Sequence, residues 1–318
     1  MKNKIMLVGE PMGLFIAEEE ALLEDVRHFS TSVAGAEFNV AVGLARLEHP
    51  VGYLTKLGDD PFGRQIIKAM NRNSINTSMV IKSKDHATGF MLKSKTSHGD
   101  PDIFYYRKNS AASTISPADL ENLDLSDYCA LHMTGILPAL SSSAKESAYF
   151  LMRKARESGL TIFFDPNLRP QLWPSREMMI QTINELASMA DYVLPGEKEG
   201  EILCGSRDAK KIAEFYLTKG AKTVIVKVGP KGAYAATKNG SFLSPTYPAE
   251  KIVDTVGAGD GFAAGVISAV IEGLSLEEAV RRGNAIGTIQ VMNVSDNEGL
   301  PTRKELELFM TKYQQNAE

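Results

Sequence analysis

The sequence predicts a doubly wound α/β fold with a mostly parallel sheet and a small second β-sheet. Short apolar runs that end in Gly, Pro or Asp are typical of buried parallel strands, and they recur along the chain. Segments with helical periodicity alternate with them, as a doubly wound sheet requires. Two further segments lack helical periodicity, and they predict the small sheet.

The apolar runs predict the strands of the main sheet. These runs are residues 4–9, 51–58, 129–135, 161–165, 191–196 and 223–229. The helical patterns lie between the runs and fill the C-terminal third. They are residues 36–48, 61–73, 141–158, 176–189, 208–219, 258–273, 276–292 and 302–314. No repeat or linker interrupts the 318 residues, so we expect one large domain over residues 1–318.

Residues 10–33 and 87–109 interrupt this alternation and contain alternating patterns such as GFMLK and DIFYYRK. We expect them to pair as a lid over a site, and the alternative is a pair of surface hairpins. Residues i and i+2 of a strand face the same way, so Tyr105 and Arg107 would share a face. Such a face can close over a polar anionic ligand.

Composition excludes some classes of function. The 35 Lys and Arg against 39 Asp and Glu give a net charge of −4, which argues against nucleic-acid binding through bulk charge. No apolar stretch approaches the ~20 residues of a membrane span, and the N-terminal apolar run is too short for a signal peptide. Cys129 and Cys204 match no metal spacing and suit a reducing compartment. We predict a cytoplasmic protein with no nucleic-acid or membrane partner.

The stretch DTVGAGDGFAAG, residues 254–265, places Asp260 in the first turn of an apolar helix. Helix N-termini present unpaired N–H groups, and small residues let an anion approach them. A carboxylate beside such a site can accept the proton of a hydroxyl that attacks the anion, as phosphoryl transfer requires. The alternative is a capped helix start. A dinucleotide-binding fingerprint is excluded, because Phe262 stands where its third glycine would be. A P-loop is also excluded, because no Gly-Lys-Ser/Thr follows in this stretch.

Three motifs resemble those of the ribokinase-like (PfkB) carbohydrate kinases and occur in the family's order. DTVGAGDGFAAG is similar to the C-terminal signature, AGAEFNVAVGLARL (34–47) to the N-terminal signature, and VKVGPKGA (226–233) to the nucleotide-binding strand and turn. The resemblance implies one ribokinase-like kinase domain that uses ATP and Mg²⁺. It leaves a requirement for a monovalent cation open.

The resemblance also implies roles for individual residues. Asp260 would be the catalytic base, and the backbone of Gly257, Ala258 and Gly259 would form the anion hole. The substrate-binding residues would be Gly35, Asn39, Met91, Tyr105, Arg107, Ile136, Arg169 and Asp296. The ATP-binding residues would be Asn167, Lys227, Gly229, Lys231, Gly232 and Asn284. Glu199 of GEKE matches the glutamate of the family's Asn-x-x-Glu motif, with Gly196 in place of Asn, and would organise the metal through water.

Within the family, several stretches are most similar to 2-keto-3-deoxygluconate kinases. They are GEPM (9–12), AGAEFNVAVGLARL, FYYRKNSAAS (104–113), LHMTGILPAL (131–140) and DPNLRPQLW (165–173). This implies phosphorylation of the primary hydroxyl of a sugar acid. The presence of Arg107 and Arg169 is consistent with an acidic substrate, because a guanidinium can donate two parallel hydrogen bonds to a carboxylate.

Kinases of neutral sugars usually carry an Asp shortly after the first strand. GEPMGLF offers Gly13 and no Asp, so we expect no like charge to repel an acidic substrate there. A fructokinase or another neutral-sugar kinase remains an alternative, and so does a non-catalytic sugar-acid sensor. The exposed edges and apolar face of a lid also favour a homodimer or higher homo-oligomer through that sheet.

Overall fold

The structure is a computed structural model, and it describes residues 2–96, 101–293 and 296–315. The strands of these ranges are β1 (Lys4–Val8), β2 (Met12–Ala17), β3 (Phe29–Ala34), β4 (Val51–Gly58), β5 (Val80–Ser83), β6 (Phe90–Lys93), β7 (Ile103–Tyr106), β8 (Tyr128–Thr134), β9 (Thr161–Asp165), β10 (Tyr192–Val193), β11 (Thr223–Lys227), β12 (Ala233–Thr237) and β13 (Gly240–Ser244). The α-helices are α1 (Ala36–Arg46), α2 (Pro61–Arg72), α3 (Ser142–Glu157), α4 (Arg176–Ser188), α5 (Glu197–Cys204), α6 (Ala209–Thr218), α7 (Ala258–Ile271), α8 (Leu276–Val291) and α9 (Arg303–Gln315).

The main sheet has nine strands in the order β13-β12-β11-β10-β9-β8-β1-β4-β5. The strands from β11 to β5 pair in parallel, and β12 and β13 add an antiparallel edge. Side chains of α3, α4 and α6 pack against one face, and those of α1, α2, α7 and α8 pack against the other. The predicted doubly wound, mostly parallel sheet is confirmed.

Most predicted elements are present, with differences where the hydrophobic signal is short or interrupted. The run 191–196 forms only β10, because Pro195 has no N–H to continue the pairing. The sequence reading missed β5, β12, β13 and α5. β13 is largely exposed and α5 is short and rich in charge, so neither shows a long apolar pattern.

The second sheet has the order β3-β2-β6-β7, and its strands come from the two segments that were predicted to form it. The predicted segment 87–109 includes residues 97–100, which lie outside the described residues. Register separates the two faces of this lid sheet. One face carries Leu14, Met91 and Tyr105 in one row and Ile16, Lys93 and Ile103 in the next. The opposite face carries Phe15, Phe90, Leu92, Phe104 and Tyr106.

Helix α7 lies at the centre of the fold, as its uniformly apolar sequence predicts. Every residue from 261 to 269 is buried, and its small residues allow close packing against α8. At Gly265, an added Cβ would lie 2.8 Å from the backbone of Gly283. Within the described ranges, no helix reaches both the length and the apolar character of a membrane span.

Candidate active site

A cavity of about 570 Å³ lies between the carboxyl edge of the main sheet and the inner face of the lid sheet. It gathers most of the residues that the sequence predicted as site residues. Those that line it are Gly35, Asn39, Met91, Tyr105, Arg107, Ile136, Asn167, Arg169, Glu199, Lys227, Gly257, Gly259, Asp260 and Asp296. Asp260 therefore faces an open cavity and not the packed interior.

The parallel strands position this site. Ile136 follows β8, Asn167 and Arg169 follow β9, Glu199 follows β10, and Lys227 ends β11. Carboxyl ends of parallel strands meet at one edge of a sheet, which is where open α/β sheets bind ligands. Residues far apart in sequence are thereby brought to one place.

The glycine-rich turn exposes the first N–H groups of α7. Gly257 has a φ of 79°, which favours glycine, and an added Cβ would lie 2.3 Å from the carbonyl oxygen of Asp296. At Gly259 the nearest atom to an added Cβ is Nζ of Lys227, at 3.8 Å. Because the first helical N–H groups have no intrahelical partner, the turn can receive an anion from the cavity.

Asp260 lies beside these N–H groups and is held by one donor. Nδ2 of Asn39 donates to its Oδ2 at 2.8 Å, and Oδ1 of Asn39 accepts from Nδ2 of Asn297 at 2.9 Å. Burial raises the pKa of Asp260 to about 7, although the hydrogen bond from Asn39 acts in the opposite direction. Asn39 was expected to contact sugar, and in the structure its amide positions Asp260. A carboxyl group with a pKa near neutrality suits a general base.

Lys227 brings positive charge beneath the same turn. Its Nζ lies 2.6 Å from Oδ2 of Asp165, which is itself buried. Burial acts to lower the pKa of Lys227, but the carboxylates of Asp165 and Glu199 outweigh it, so that pKa is raised. The ammonium group therefore stays charged at neutral pH, next to Gly259 and the anion-binding turn.

Glu199 connects two loops at the edge of the cavity. Its Oε1 accepts from the N–H of Leu168 at 2.9 Å, and its Oε2 accepts from the N–H of Gly196 at 2.7 Å. The second bond caps the start of α5, because the glutamate accepts from the backbone at Gly196. Burial raises the pKa of Glu199, against the effect of Lys227.

The carboxylates of the cavity suit a metal that arrives with its own oxygen ligands. Mg²⁺ keeps several waters and is usually bound through one or two carboxylates and substrate phosphates. Asp165 and Glu199 line the cavity together. The described residues contain no group of three or more His, Cys, Asp or Glu that could hold a metal by themselves. These two carboxylates fit a metal that arrives with nucleotide phosphates.

The first strand does bring a carboxylate into the site, against the sequence-based expectation. Glu10 is 2% exposed and lines the cavity. Nε of Arg107 donates to its Oε2 at 2.7 Å, and Ser110 donates to its Oε1. The carboxylate belongs to a glutamate, whereas the expectation for this stretch concerned an Asp. Its charge is balanced by Arg107, so the pair as a whole does not repel an anion.

Arg107 and Arg169 differ in their charge partners. The guanidinium of Arg107 lies 5.7 Å from the ring centroid of Tyr105, as their predicted common face requires, and it pairs with Glu10. Nη1 of Arg169 donates to the carbonyl oxygen of Leu168 at 2.9 Å. Within the described residues, Arg169 makes no ion pair with a carboxylate. Among the described residues, the guanidinium of Arg169 therefore lines the cavity without a salt-bridge partner, although its charge acts, against burial, to lower the pKa values of Glu37 and Asp260.

Asp296 lines the cavity as expected, but its carboxylate is paired with a residue that the sequence reading missed. Nζ of Lys93 lies 3.0 Å from Oδ1 of Asp296 and 2.8 Å from Oδ2 of Asp254. Lys93 is two residues after Met91, so strand alternation places both on the inner face of the lid. That signal was present in the sequence, but lysine is rarely buried and was not considered.

The expected nucleotide-binding turn and Asn284 lie outside the residues that line this cavity. Gly229 and Lys231 belong to a short 3₁₀ turn after β11, and Gly232 follows with a φ of 99°. At Gly232 an added Cβ would lie 2.1 Å from the carbonyl oxygen of Ser244. Nδ2 of Asn284 donates to the same carbonyl at 3.1 Å. Gly232 and Asn284 therefore make structural contacts with the end of β13. The ATP-binding roles of Gly229, Lys231, Gly232 and Asn284 stay predictions.

Comparison with known proteins identifies the family of the chain. The model of the family described as "pfkB family carbohydrate kinase" matches residues 2–303. A 2-dehydro-3-deoxygluconokinase from Bacillus subtilis (strain 168) is 47% identical over 98% of this chain and 96% of its own length. A solved PfkB protein from Polaromonas sp. JS666 is 43% identical, with a TM-score of 0.89 over 96% of this chain and 99% of its own. A putative ribokinase II from E. coli, solved with ATP and Mg²⁺, is 25% identical, with a TM-score of 0.88 over 98% and 99%.

The environment of Asp260 predicts a pH-dependent cost in stability. Its pKa rises from 3.8 to about 7 on folding, so the free energy of unfolding falls as pH rises from about 4 to 7. Asp260→Asn should therefore raise the melting temperature at pH 8 by roughly 1–4 °C, and the gain should vanish near pH 4. Thermal melts of both proteins between pH 4 and pH 8 measure this difference, with substitution of the exposed Asp127, Asp127→Asn, as the control. An equal gain at both pH values would contradict the prediction.

Proposed function

The chain belongs to the pfkB family of carbohydrate kinases, and we propose that it transfers the γ-phosphoryl group of ATP to the primary hydroxyl of 2-dehydro-3-deoxygluconate. The product is 2-dehydro-3-deoxy-6-phosphogluconate. The relative that is 47% identical carries this activity in its name. The observation that carries the proposal is one cavity that joins Asp260, the anion-binding turn and two guanidinium groups.

The proposed reaction assigns each group a task. The hydroxyl oxygen of the sugar attacks the γ-phosphorus while Asp260 accepts its proton, and the bond to the β-phosphate oxygen breaks. The N–H groups of residues 257–259 stabilise the charge on the transferring phosphoryl group. Lys227 adds positive charge beside that turn. The base and the donors lie in one helical turn, so they move together.

ATP and Mg²⁺ are the proposed cofactors. A structural neighbour binds both. Asp165 and Glu199 are the residues that would hold the metal, mainly through water, and it would supply positive charge at the nucleotide phosphates. Lys227 keeps Asp165 in place for this role through their 2.6 Å contact.

The charges on the sugar side support an acidic substrate. Glu10 balances Arg107, whereas Arg169 makes no ion pair within the described residues. A sugar acid would balance the remaining positive charge, and a neutral sugar would leave it unbalanced. Arg107 retains N–H groups for a second acceptor, since a guanidinium has five.

Two further statements belong to the proposal. A sensor that only binds the sugar acid is disfavoured, because a half-buried Asp260 lowers stability and binding alone needs no base. The free thiols of Cys129 and Cys204 support a reducing compartment, and we place the protein in the cytoplasm.

The outer face of the lid supports a homodimer. Phe104 is 62% exposed and Tyr106 is 49% exposed. Tyr106 stacks on Phe90 at 4.7 Å between ring centroids, and Phe62 of α2 covers the other side of Phe90 at 5.4 Å. One part of this aromatic row is thus covered by the body and the rest is open. A second lid of the same kind would cover the open part.

A coupled assay tests the substrate. At matched concentrations, kcat/KM for 2-dehydro-3-deoxygluconate should exceed that for fructose and ribose by about tenfold or more. Arg107→Gln should lower kcat/KM for the acid about 100-fold and that for fructose much less, because the variant removes charge and leaves Glu10 unbalanced. Exposed Arg64→Gln is the control. Equal turnover of fructose would favour a neutral-sugar kinase, and no turnover of any sugar would favour the sensor.

Replacement of the base tests the mechanism. Asp260→Asn should reduce kcat by about 10³-fold and leave the sugar dissociation constant within a few-fold of the wild-type value. In the wild type, kcat/KM should rise with pH up to about 7, because the ionised carboxylate is the active form. Turnover of the variant within tenfold of wild type would show that another group is the base.

Substitution of the exposed ring tests the dimer. Phe104→Lys should shift the mass measured by light scattering from twice the 34.6 kDa of one chain to that of a monomer. The control is Leu308→Lys, since Leu308 is 63% exposed on α9. If Phe104→Lys and the wild type have the same mass, association does not use this face.

A further inference from the structure

We propose that Lys93 is a positioning residue that ties the lid to both parts of the catalytic apparatus, the turn 254–257 and Asp260. The inference rests on the phosphoryl transfer proposed above. Lys93 ends β6 on the inner face of the lid, between the apolar neighbours Ile16 and Ile103. A lysine in such a row needs a charge partner across the cavity, and the body supplies two.

The contact is a buried group of three charges. Nζ of Lys93 lies 2.8 Å from Oδ2 of Asp254 and 3.0 Å from Oδ1 of Asp296. The side chains of Lys93, Asp254 and Asp296 are 6%, 12% and 5% exposed. Burial acts to lower the pKa of Lys93, but the two carboxylates outweigh it and that pKa is raised. The ammonium group stays charged and separates two acids that would otherwise repel each other.

The first connection leads to the anion-binding turn. Oδ1 of Asp254 accepts from the N–H of Val256 at 3.0 Å, while its Oδ2 holds Lys93. Gly257 follows directly and begins the run of N–H groups that would bind the phosphoryl group. The carbonyl oxygen of Asp296 faces the same glycine and lies 2.3 Å from where a Cβ would be, so only glycine fits there. Both residues that Lys93 holds therefore border this turn, Asp254 through its carboxylate and Asp296 through its carbonyl oxygen.

The second connection leads to the base. Asn297 follows Asp296, and its Nδ2 donates to Oδ1 of Asn39 at 2.9 Å. Nδ2 of Asn39 in turn donates to Asp260 at 2.8 Å. The loop that Lys93 holds through Asp296 thus also orients the amide that orients the base.

Other contacts attach the lid to the body, so Lys93 is not needed to hold the sheet on. Phe62 of α2 packs on Phe15 and Phe90 of the outer face. Arg107 and Glu10 pair at the other end of the lid. Removal of Lys93 should therefore loosen the turn and leave the lid sheet formed.

Hydrogen exchange and kinetics together test the role. Lys93→Met keeps the length of the side chain and removes its charge. We expect faster amide exchange in peptides covering residues 254–260, a kcat lowered about 100-fold, and an ATP KM within threefold of wild type. Lys93→Arg should restore kcat to within tenfold of wild type. Lys95→Met is the matched control, because Lys95 follows on the same chain segment and is exposed, with its Nζ bonded to the carbonyl oxygen of Glu18.

The outcomes separate the two proposals. If exchange at residues 254–260 is the same in Lys93→Met and Lys95→Met, Lys93 does not connect the lid to the turn. If exchange rises in Lys93→Met but kcat stays within threefold of wild type, Lys93 does not position the catalytic groups. Should Lys93→Met fail to fold, Asp254→Asn replaces it, since Asn can still accept from Val256 while the ion pair is lost; unchanged exchange in that variant would also overturn the proposal. Exchange needs no substrate, so it decides the tie even if the wild type phosphorylates none of the sugars.

Discussion

The whole site depends on holding one carboxylate, Asp260, beside the N–H groups that begin α7. The carboxyl group is half-buried, and burial disfavours its ionisation. The fold meets this with one amide donor, Asn39, and with glycines that keep the N–H groups open to the cavity. Helix α7 is buried along most of its length, so the first turn has little freedom to move away. A fixed base and a fixed anion site follow from the same helix.

The other charges of the cavity are arranged around this constraint. Arg107 balances Glu10, Lys227 balances Asp165, and Lys93 serves two acids at once. Buried pairs of this kind contribute little net stability, but removal of one partner leaves an uncompensated charge. The positions of the remaining groups are therefore set by their partners. Within the described residues, Asp260 and Arg169 line the cavity without an ion-pair partner, and the proposed reaction uses both of them, together with Arg107, on the sugar.

The sequence predicted the fold and the catalytic turn because both depend on local patterns. Apolar runs and periodicity identify the strands and helices, and GAGD identifies the helix start at Asp260. Partners across the cavity could not be found in this way: nothing adjacent to Lys93 in sequence indicates Asp254 or Asp296, which lie 161 and 203 residues away. Glu10 was missed for a different reason, since the expectation for its stretch concerned Asp alone. Glu199 was found, but its two backbone donors come from loops that only the folded sheet brings together.

The two faces of the lid sheet have different roles. Side chains alternate along a strand, so one short sheet can carry Met91, Lys93 and Tyr105 on its inner face and Phe90, Phe104 and Tyr106 on its outer face. The inner face reaches the catalytic turn through Lys93. The outer face supports the proposed dimer. A partner lid packed on the outer face would restrict the same strand, β6, that carries Lys93 at its end. Association and the geometry of the anion-binding turn would then be coupled through one strand, with no need for any contact between the two cavities.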